Sequence, residues 1–142
     1  MLEPVSARPV GRPAVREAPA DRPPSVDLVD ETYIAAAPGV VARAVAAPAA
    51  WAGWWPGLVL AVTADRGPEG LRWSVAGRLV GSMEIWLEAV GAGTVLHWFL
   101  RAEPAGALRP RPTARLAERE VRRWKRHAFA LKDRLEGAER VT

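Results

Sequence analysis

The spacing of apolar residues near the C-terminus predicts one long amphipathic helix over residues 113–135. Apolar positions recur alternately four and three residues apart, so they form one stripe while the other helix faces stay polar. Thr113 is placed to cap the start of this helix, and Gly137 to end it. At about 1.5 Å per residue the helix is on the order of 35 Å long, so a broad surface must cover its stripe. The stripe consists of Ala117, Val121, Trp124, Ala128, Leu131 and Leu135.

Before this helix, the apolar pattern changes to a period of two and predicts an antiparallel sheet. Short turns rich in Gly separate the last four strands, which therefore follow one another as a meander. In the fourth strand, Met83 and Ile85 share one face, whereas Glu84 and Glu88 share the other. One face of the sheet should thus be apolar and the other exposed to water. The predicted strands are residues 26–35, 58–64, 71–77, 79–90 and 94–103.

Two short helices are predicted between the first and second strands. Pro38 and Pro48 each suit the first turn of a helix, where the missing N–H of proline costs no hydrogen bond. Val41 and Val45, four residues apart, give the first helix a buried edge. The second closes on the segment 51–56, whose three tryptophans predict a corner that packs onto the sheet.

Residues 1–26 contain six prolines and no apolar periodicity, which predicts a disordered tail. We therefore expect one domain at residues 27–137, followed by a C-terminal tail at residues 138–142. The length of 142 residues and the 49% hydrophobic content are sufficient for one core. The chain has no cysteine, which excludes disulfides and cysteine-based metal sites. It also lacks an apolar run of roughly 18 residues and a signal-peptide pattern, so a cytoplasmic location is expected.

Four short segments, in this order, resemble segments of one protein superfamily: residues 33–38, Trp51 with residues 54–56, Gly93-Thr94 with Leu96 and Trp98, and residues 131–135. The superfamily is the START-like or SRPBCC superfamily, and the resemblance covers roughly residues 27–137. It implies an α+β helix-grip fold, with about five antiparallel strands wrapped on a long C-terminal helix and two short helices after the first strand. Members usually have six strands between the short helices and the long helix, but this sequence shows four. A hairpin is therefore missing, and the best place for the gap is between residues 64 and 71.

The inward faces of the predicted sheet and helix bring together a set of large apolar side chains. The set is either a plain aromatic core or an apolar ligand pocket in which one or two indole N–H groups are the polar groups. Gly81 and Ala128, small residues on opposing walls, favour open space. The resemblance implies a hydrophobic ligand here, lipid or polyketide-like. The candidate ligand-binding residues are Trp54, Trp73, Met83, Ile85, Trp98, Leu100, Trp124 and Ala128.

An enzyme is the first alternative, because the superfamily includes polyketide cyclases and dehydrases. Such chemistry needs titratable side chains that point inward, and the sequence offers only Asp30 and Arg78. His97 and His127 have no partner at metal-ligand spacing, and His97 falls on the solvent face of its strand. No catalytic residue, metal site or cofactor is therefore assigned.

The second alternative is an interaction protein, because the net charge is +4 and cationic residues crowd the long helix. A solvated helix face with a composition biased towards Arg explains them more simply than a nucleic-acid or anionic membrane site. A homodimer that completes the wall left open by the missing hairpin is a further partner compatible with the sequence. The cationic residues are Arg115, Arg119, Arg122, Arg123, Lys125, Arg126, Lys132 and Arg134.

Overall fold

A computed structural model describes residues 23–106 and 109–141, and it confirms the α+β class and the predicted order of elements. Residues 1–22 of the predicted disordered tail lie outside this description. A 3-10 turn at Gly67–Glu69 joins the second and third strands. The elements are β1 (Val26–Ile34), α1 (Pro38–Val45), α2 (Pro48–Trp54), β2 (Leu58–Asp65), β3 (Gly70–Gly77), β4 (Leu79–Val90), β5 (Gly93–Pro104) and α3 (Pro110–Val141).

The five strands form one antiparallel sheet in the order β1-β5-β4-β3-β2. The last four strands are the predicted meander, and β1 pairs with β5 at the far edge. In this register Leu28, Leu100 and Met83 lie side by side on the inner face, which is the face towards α3. A bulge between Val62 and Ala64 and the 3-10 turn lead directly from β2 into β3. Among the described strands, β2 is therefore an edge strand.

The bounds of α3 differ from the predicted 113–135, because the helix begins at Pro110 and continues to Val141. Proline is tolerated in a first helical turn, so the Pro-rich segment before residue 113 extends the helix instead of ending it. Thr113 is not an N-cap, since its Oγ1 donates to the carbonyl of Arg109 at 2.9 Å from inside the helix. Gly137 does not stop the helix either, because a glycine inside a helix costs only about 1 kcal/mol. Residues 138–141 of the predicted C-terminal tail are therefore helical.

Two lysines attach α3 to the edge strand β1. Lys125 Nζ donates to the carbonyl of Glu31 at 2.8 Å and to Thr32 Oγ1 at 3.0 Å, and it pairs with Asp30 at 3.1 Å. Lys132 Nζ donates to the carbonyl of Tyr33 at 2.8 Å. These are the only lysines in the chain, and both turn towards β1 although they were expected on the solvated cationic face. The flexible lysine stem lets a charged group reach backbone carbonyls that lie beside the helix.

Replacing Lys125 with methionine should lower the free energy of unfolding by about 1–2 kcal/mol, because Asp30 loses its cation and Thr32 a hydrogen-bond partner. Urea denaturation measures this loss. The matched control is Arg126→Met, since Arg126 is the next residue on the helix and is exposed. Equal losses in the two variants would show that the contacts of Lys125 do not stabilise the protein.

The outer face of the sheet is less exposed than the alternation predicted. Glu84 is only 2% exposed and pairs with Arg66 at 2.9 Å, so it is not a solubilising surface charge. His97 is 8% exposed, and its ring stacks on Trp86 with 4.3 Å between ring centroids. The Nε2 atom of His97 lies 2.9 Å from the carboxylate of Glu88. The prediction of a solvent-facing Glu84 and His97 was wrong, because long arginine and aromatic side chains on the same face cover them.

Candidate functional site

The candidate ligand-binding residues all lie between the inner face of the sheet and α3. The structure places them in one buried cluster, where Trp54 is the most exposed member at 8%. The sequence thus predicted correctly that these residues face the interior. Their role in ligand binding stays a prediction. The eight residues are Trp54, Trp73, Met83, Ile85, Trp98, Leu100, Trp124 and Ala128.

Trp124 stands at the centre of an aromatic cluster that joins α3, the α2 corner and the sheet. Its ring stacks on those of Trp55 and Trp98, with centroid distances of 5.4 and 5.5 Å. Trp54 meets the same ring edge-on at 5.8 Å. Trp73 continues the cluster, because its ring lies 5.4 Å from that of Trp55. Large rings from three separate parts of the chain therefore fill the middle of the interior.

Trp55 was missing from the candidate residues, although it is 1% exposed and contacts three other tryptophans. The signal that could have found it is the spacing of Trp51, Trp54 and Trp55. Residues three and four positions after a helical residue share its face, so all three rings should turn to the same side of α2. Trp51 does so as well, and its ring lies 5.2 Å from that of Trp73.

Five of the six indole N–H groups of this cluster fall into two kinds. Trp51 Nε1 donates to the carbonyl of Val45 at 2.7 Å. The Nε1 atoms of Trp55, Trp73, Trp98 and Trp124 are buried and have no acceptor among the residues that the structure describes. A buried donor without an acceptor costs about 1–3 kcal/mol, and native proteins contain few of them. The interior therefore has several unused hydrogen-bond donors in one place.

Gly81 does not mark open space, as the sequence had suggested. It pairs with Ala102 across β4 and β5, and a Cβ at this position would lie 2.1 Å from the carbonyl oxygen of Arg101. The glycine is needed because the two backbones approach each other closely here. The prediction of a small residue beside a cavity was therefore wrong at this position.

Gly81→Ala should lower the free energy of unfolding by about 1–3 kcal/mol, because the added methyl group forces β4 and β5 apart. Thermal and urea unfolding measure the change. Gly53→Ala is the matched control, since a Cβ on this residue of α2 meets no atom within 4 Å. Alanine favours a helix more than glycine does, so the control should be neutral or stabilising. A stable Gly81→Ala variant would contradict the close approach.

An ion pair joins Arg78 to Glu120, which lies one helical turn before Trp124 on α3. The Nη1 atom of Arg78 donates to the carboxylate of Glu120, and its Nε donates to the carbonyl of Pro56 at 2.8 Å. The side chain of Glu120 is 3% exposed. Arg78 was one of the two residues considered for enzyme chemistry, and the structure places it in this ion pair.

The other titratable candidates are also held in contacts or remain at the surface. Asp30 pairs with Lys125, as described above. Partial burial, together with the charges of Arg126 and Arg123, lowers the pKa of His127 below its usual 6.5. Within residues 23–106 and 109–141, no group of three or more His, Cys, Asp and Glu side chains could hold a metal ion. The two residues considered for enzyme chemistry, Asp30 and Arg78, are therefore both held in ion pairs.

A groove of about 350 Å³ opens between β1 and the first half of α3. Its apolar lining comes from Leu28, Ala117 and Val121, and its polar rim from Glu118 and Arg122. The groove is wide open to solvent and is not an enclosed cavity. This groove, like the aromatic cluster, lies between the sheet and the long helix.

Comparisons with known proteins identify the fold of this chain but do not assign it to a family. No protein-family model and no curated protein sequence matches the chain. The Aha1 dimer from Colwellia psychrerythraea matches with a TM-score of 0.56 and 18% identity, over 78% of this chain and 96% of that one. Protein Ms6760 from Mycobacterium smegmatis matches with a TM-score of 0.57 and 13% identity, over 89% and 98%. The chain has the helix-grip fold.

A third solved structure, protein CV1439 from Chromobacterium violaceum, agrees with a TM-score of 0.54 and 18% identity, over 78% of this chain and 97% of that one. The match thus covers nearly the whole length of each of these three proteins. The sheet of this chain has five strands. Identities this low show a shared fold and leave function to be argued from the site. In the described residues, no helix is both long and apolar enough to span a membrane.

Proposed function

We propose that this protein binds a hydrophobic small molecule, lipid or polyketide-like, between the inner face of the sheet and α3. The observation that carries the proposal is the apolar groove between β1 and α3. The candidate contacts are the groove residues Leu28, Ala117 and Val121, followed by the buried residues predicted from the sequence. The ligand is bound by burial of its apolar surface, which stabilises a complex by about 25 cal/mol per Å².

The position of the groove relative to the core supports this assignment. Leu28 pairs in register with Leu100, one of the predicted contact residues on the neighbouring strand. Val121 lies one helical turn before Trp124, on the same stripe of α3. The groove therefore lies beside the buried cluster, although none of the eight predicted contact residues lines it. Lys125 and Lys132 attach only the later part of α3 to β1, so the opening lies where no lysine joins the two elements.

The proposal is tested by titrating the protein with a series of saturated fatty acids and with a planar aromatic polyketide. Binding should quench tryptophan fluorescence and raise the melting temperature. A ligand at 100 times its Kd raises the free energy of unfolding by about 2.7 kcal/mol. If no compound of the panel shifts either signal, the proposal is wrong.

A pair of charge variants on α3 locates the site. Val121→Glu places a carboxylate in the apolar groove and should abolish ligand binding. Ala130→Glu adds the same charge to an exposed position of the same helix and should leave binding unchanged. Equal affinity in the two variants would show that the ligand binds elsewhere.

We also propose that the protein forms a homodimer through β2. Within residues 23–106 and 109–141, only one side of this edge strand is paired, and Val59 and Val62 are 66% and 45% exposed. Exposed apolar edge strands readily pair with another chain. One structural neighbour is described as a dimer, which supports the same assembly here. Light scattering after size-exclusion chromatography should show a dimer that Val59→Lys dissociates, whereas Val80→Lys on β4 should not.

An anionic surface is the alternative partner, because Arg115, Arg119, Arg122 and Arg126 are all exposed and follow a helical spacing of four, three and four. Binding to nucleic acid or to anionic vesicles through this row should weaken steeply between low and moderate salt. Measuring binding at two salt concentrations tests the alternative. If no salt-dependent binding is found, the alternative is wrong and the arginines form only a solvated face of the helix.

A further inference from the structure

The free edge of β1, the side that faces away from β5, is covered along its later part. The carbonyls of Glu31 and Tyr33 accept hydrogen bonds from the two lysines of α3, each at 2.8 Å. The N–H of Ala35, just beyond β1, donates to the carboxylate of Glu136 at 2.8 Å. Side chains that occupy an edge in this way prevent another strand from pairing there. The helix therefore closes the edge of β1 from residue 31 onwards.

The first part of the same edge, at residues 26–29, is not covered by the helix. The register of β1 on β5 is unbroken from Val26 to Ile34, so the backbone groups of every second residue point to the same side. Asp27 and Val29 therefore direct their N–H and C=O groups to the free edge, as Glu31 does. Among the described residues, no hydrogen bond joins α3 to the backbone of Asp27 or Val29. We call residues 26–29 the open edge of β1.

The groove between β1 and α3 lies directly beside the open edge. Leu28 is part of the open edge, and its side chain lines the groove together with Ala117 and Val121 of α3. Glu118 and Arg122 at the rim carry opposite charges, so the helix side of the groove favours neither sign. Peptides that add a strand to a sheet gain affinity from backbone hydrogen bonds and specificity from pockets for alternate side chains. The open edge and the groove supply these two features side by side.

The outer face of β1 indicates which side chains such a strand would carry. Val29 is 58% exposed, and the carboxylate side chains of Asp27 and Glu31 on either side of it are 44% and 62% exposed. Arg101 and His97 lie 3.5 and 3.3 Å from these carboxylates, which remain accessible at the edge. Residues directly opposite each other on paired strands interact, and opposite charges stabilise the pair. A basic, an apolar and a basic side chain in alternate positions therefore match this face.

We infer that an extended peptide segment of a partner protein adds to the open edge of β1 as an antiparallel strand. Its basic side chains lie opposite Asp27 and Glu31, and an apolar side chain between them on the other face enters the groove beside Leu28. This inference goes beyond the proposed function, because the hydrogen bonds come from the strand edge and the partner is a polypeptide. A peptide whose side chain fills the groove excludes a small molecule from it, so the two partners would compete.

The peptide acetyl-Lys-Leu-Val-Leu-Lys-amide, with a fluorescein label on one lysine, is the probe. In an antiparallel addition the N–H of its valine points to β1, whereas the N–H of each leucine points away. Fluorescence polarisation with the full chain should show that N-methylation of the valine weakens binding at least about tenfold, because it removes a donor and blocks close approach of the strands. N-methylation of the second leucine gives an isomer that should bind like the parent peptide. Equal affinity of the two isomers, or a loss for the leucine isomer alone, would overturn the inference.

A probe in which both lysines are replaced by glutamate tests the charge match. It should bind at least about threefold more weakly than the lysine peptide, because its carboxylates lie opposite those of Asp27 and Glu31. The protein as a whole has a net charge of +4, so attraction to the whole chain alone would favour the glutamate peptide instead. Equal or tighter binding of the glutamate peptide would contradict the inferred register.

Two substitutions at one position of the protein locate the binding edge. Val29→Pro removes the N–H that points to the free edge and leaves the pairing with β5 in place, so it should weaken binding of the lysine peptide at least about tenfold. Val29→Thr keeps this N–H and a β-branched side chain, and it should bind within about threefold of the wild-type protein. Equal affinity in the two folded variants would show that the peptide binds elsewhere.

Hydrogen exchange in the unaltered protein gives a readout that does not depend on how well the proline variant folds. At saturation with the lysine peptide, the amides of Asp27 and Val29 should exchange more slowly, whereas the amide of Leu28, which points to β5, should change little. Unchanged exchange at Asp27 and Val29, or no binding of the lysine peptide at all, would overturn the inference. The panel of fatty acids and polyketide decides the proposed function separately.

Discussion

Replacing Trp124 with alanine should lower the free energy of unfolding by about 3–5 kcal/mol, the range for removal of a large buried aromatic side chain. The side chain is fully buried, and its ring contacts Trp54, Trp55 and Trp98. These contacts hold α3 against both the α2 corner and the sheet. For a chain of this length the loss corresponds to a fall in melting temperature on the order of 10–15 °C. Urea denaturation and a thermal scan measure the two quantities.

Phe129→Ala is the control, because Phe129 lies on the same helix but is 50% exposed. Its loss should stay below about 1 kcal/mol. Trp124→Phe should fall between the two, since it keeps a ring at the centre of the cluster. Near-ultraviolet circular dichroism should change strongly for Trp124→Ala and little for the control. Similar stability of Trp124→Ala and Phe129→Ala would disprove the central role of Trp124.

The fold was predictable because its elements differ in apolar period. Alternation in β4 and β5 assigned Met83, Ile85 and Trp98 to the inner face, and the spacing along α3 assigned Trp124 to the same interior. The helix ends were not predictable in this way. Proline is common in loops as well as in the first turn of a helix. Only the structure shows that Pro110 and Pro112 lie in the first turn of α3. Local sequence patterns therefore predict which face of a strand or helix is buried more reliably than they predict where the element begins and ends.

The polar features of the site were harder to predict because they depend on contacts between distant residues. Arg78 and Glu120 are 42 residues apart, and nothing near either one indicates the other. Glu84 was placed on the correct face, but its burial results from arginines of neighbouring segments that cover it. The same limit applies to the buried indoles of Trp55, Trp73, Trp98 and Trp124, since periodicity shows that an indole points inward but not whether its N–H finds an acceptor.

Loss of the ion pair between Arg78 and Glu120 is the second change that we expect to lower the free energy of unfolding strongly. Arg78→Ala should lower the free energy of unfolding by about 2–3 kcal/mol, because it leaves the carboxylate of Glu120 buried, with Arg123 as a more distant cation at 3.4 Å. The value lies below that for a fully buried pair, since about a third of the Arg78 side chain is exposed and water screens its charge. Arg78→Ala also removes the hydrogen bond to the carbonyl of Pro56. Urea denaturation measures the change.

A double-mutant cycle separates the buried charge from the lost packing. Arg78→Met keeps most of the apolar stem, and Glu120→Leu removes the charge that the first change leaves unpaired. The double variant should recover more than half of the stability lost by Arg78→Met, because a buried ion pair can be replaced by apolar side chains at little cost. Arg43→Met, at an exposed position of α1, is the control and should be neutral. If the two losses simply add, Glu120 does not depend on Arg78 for its charge compensation.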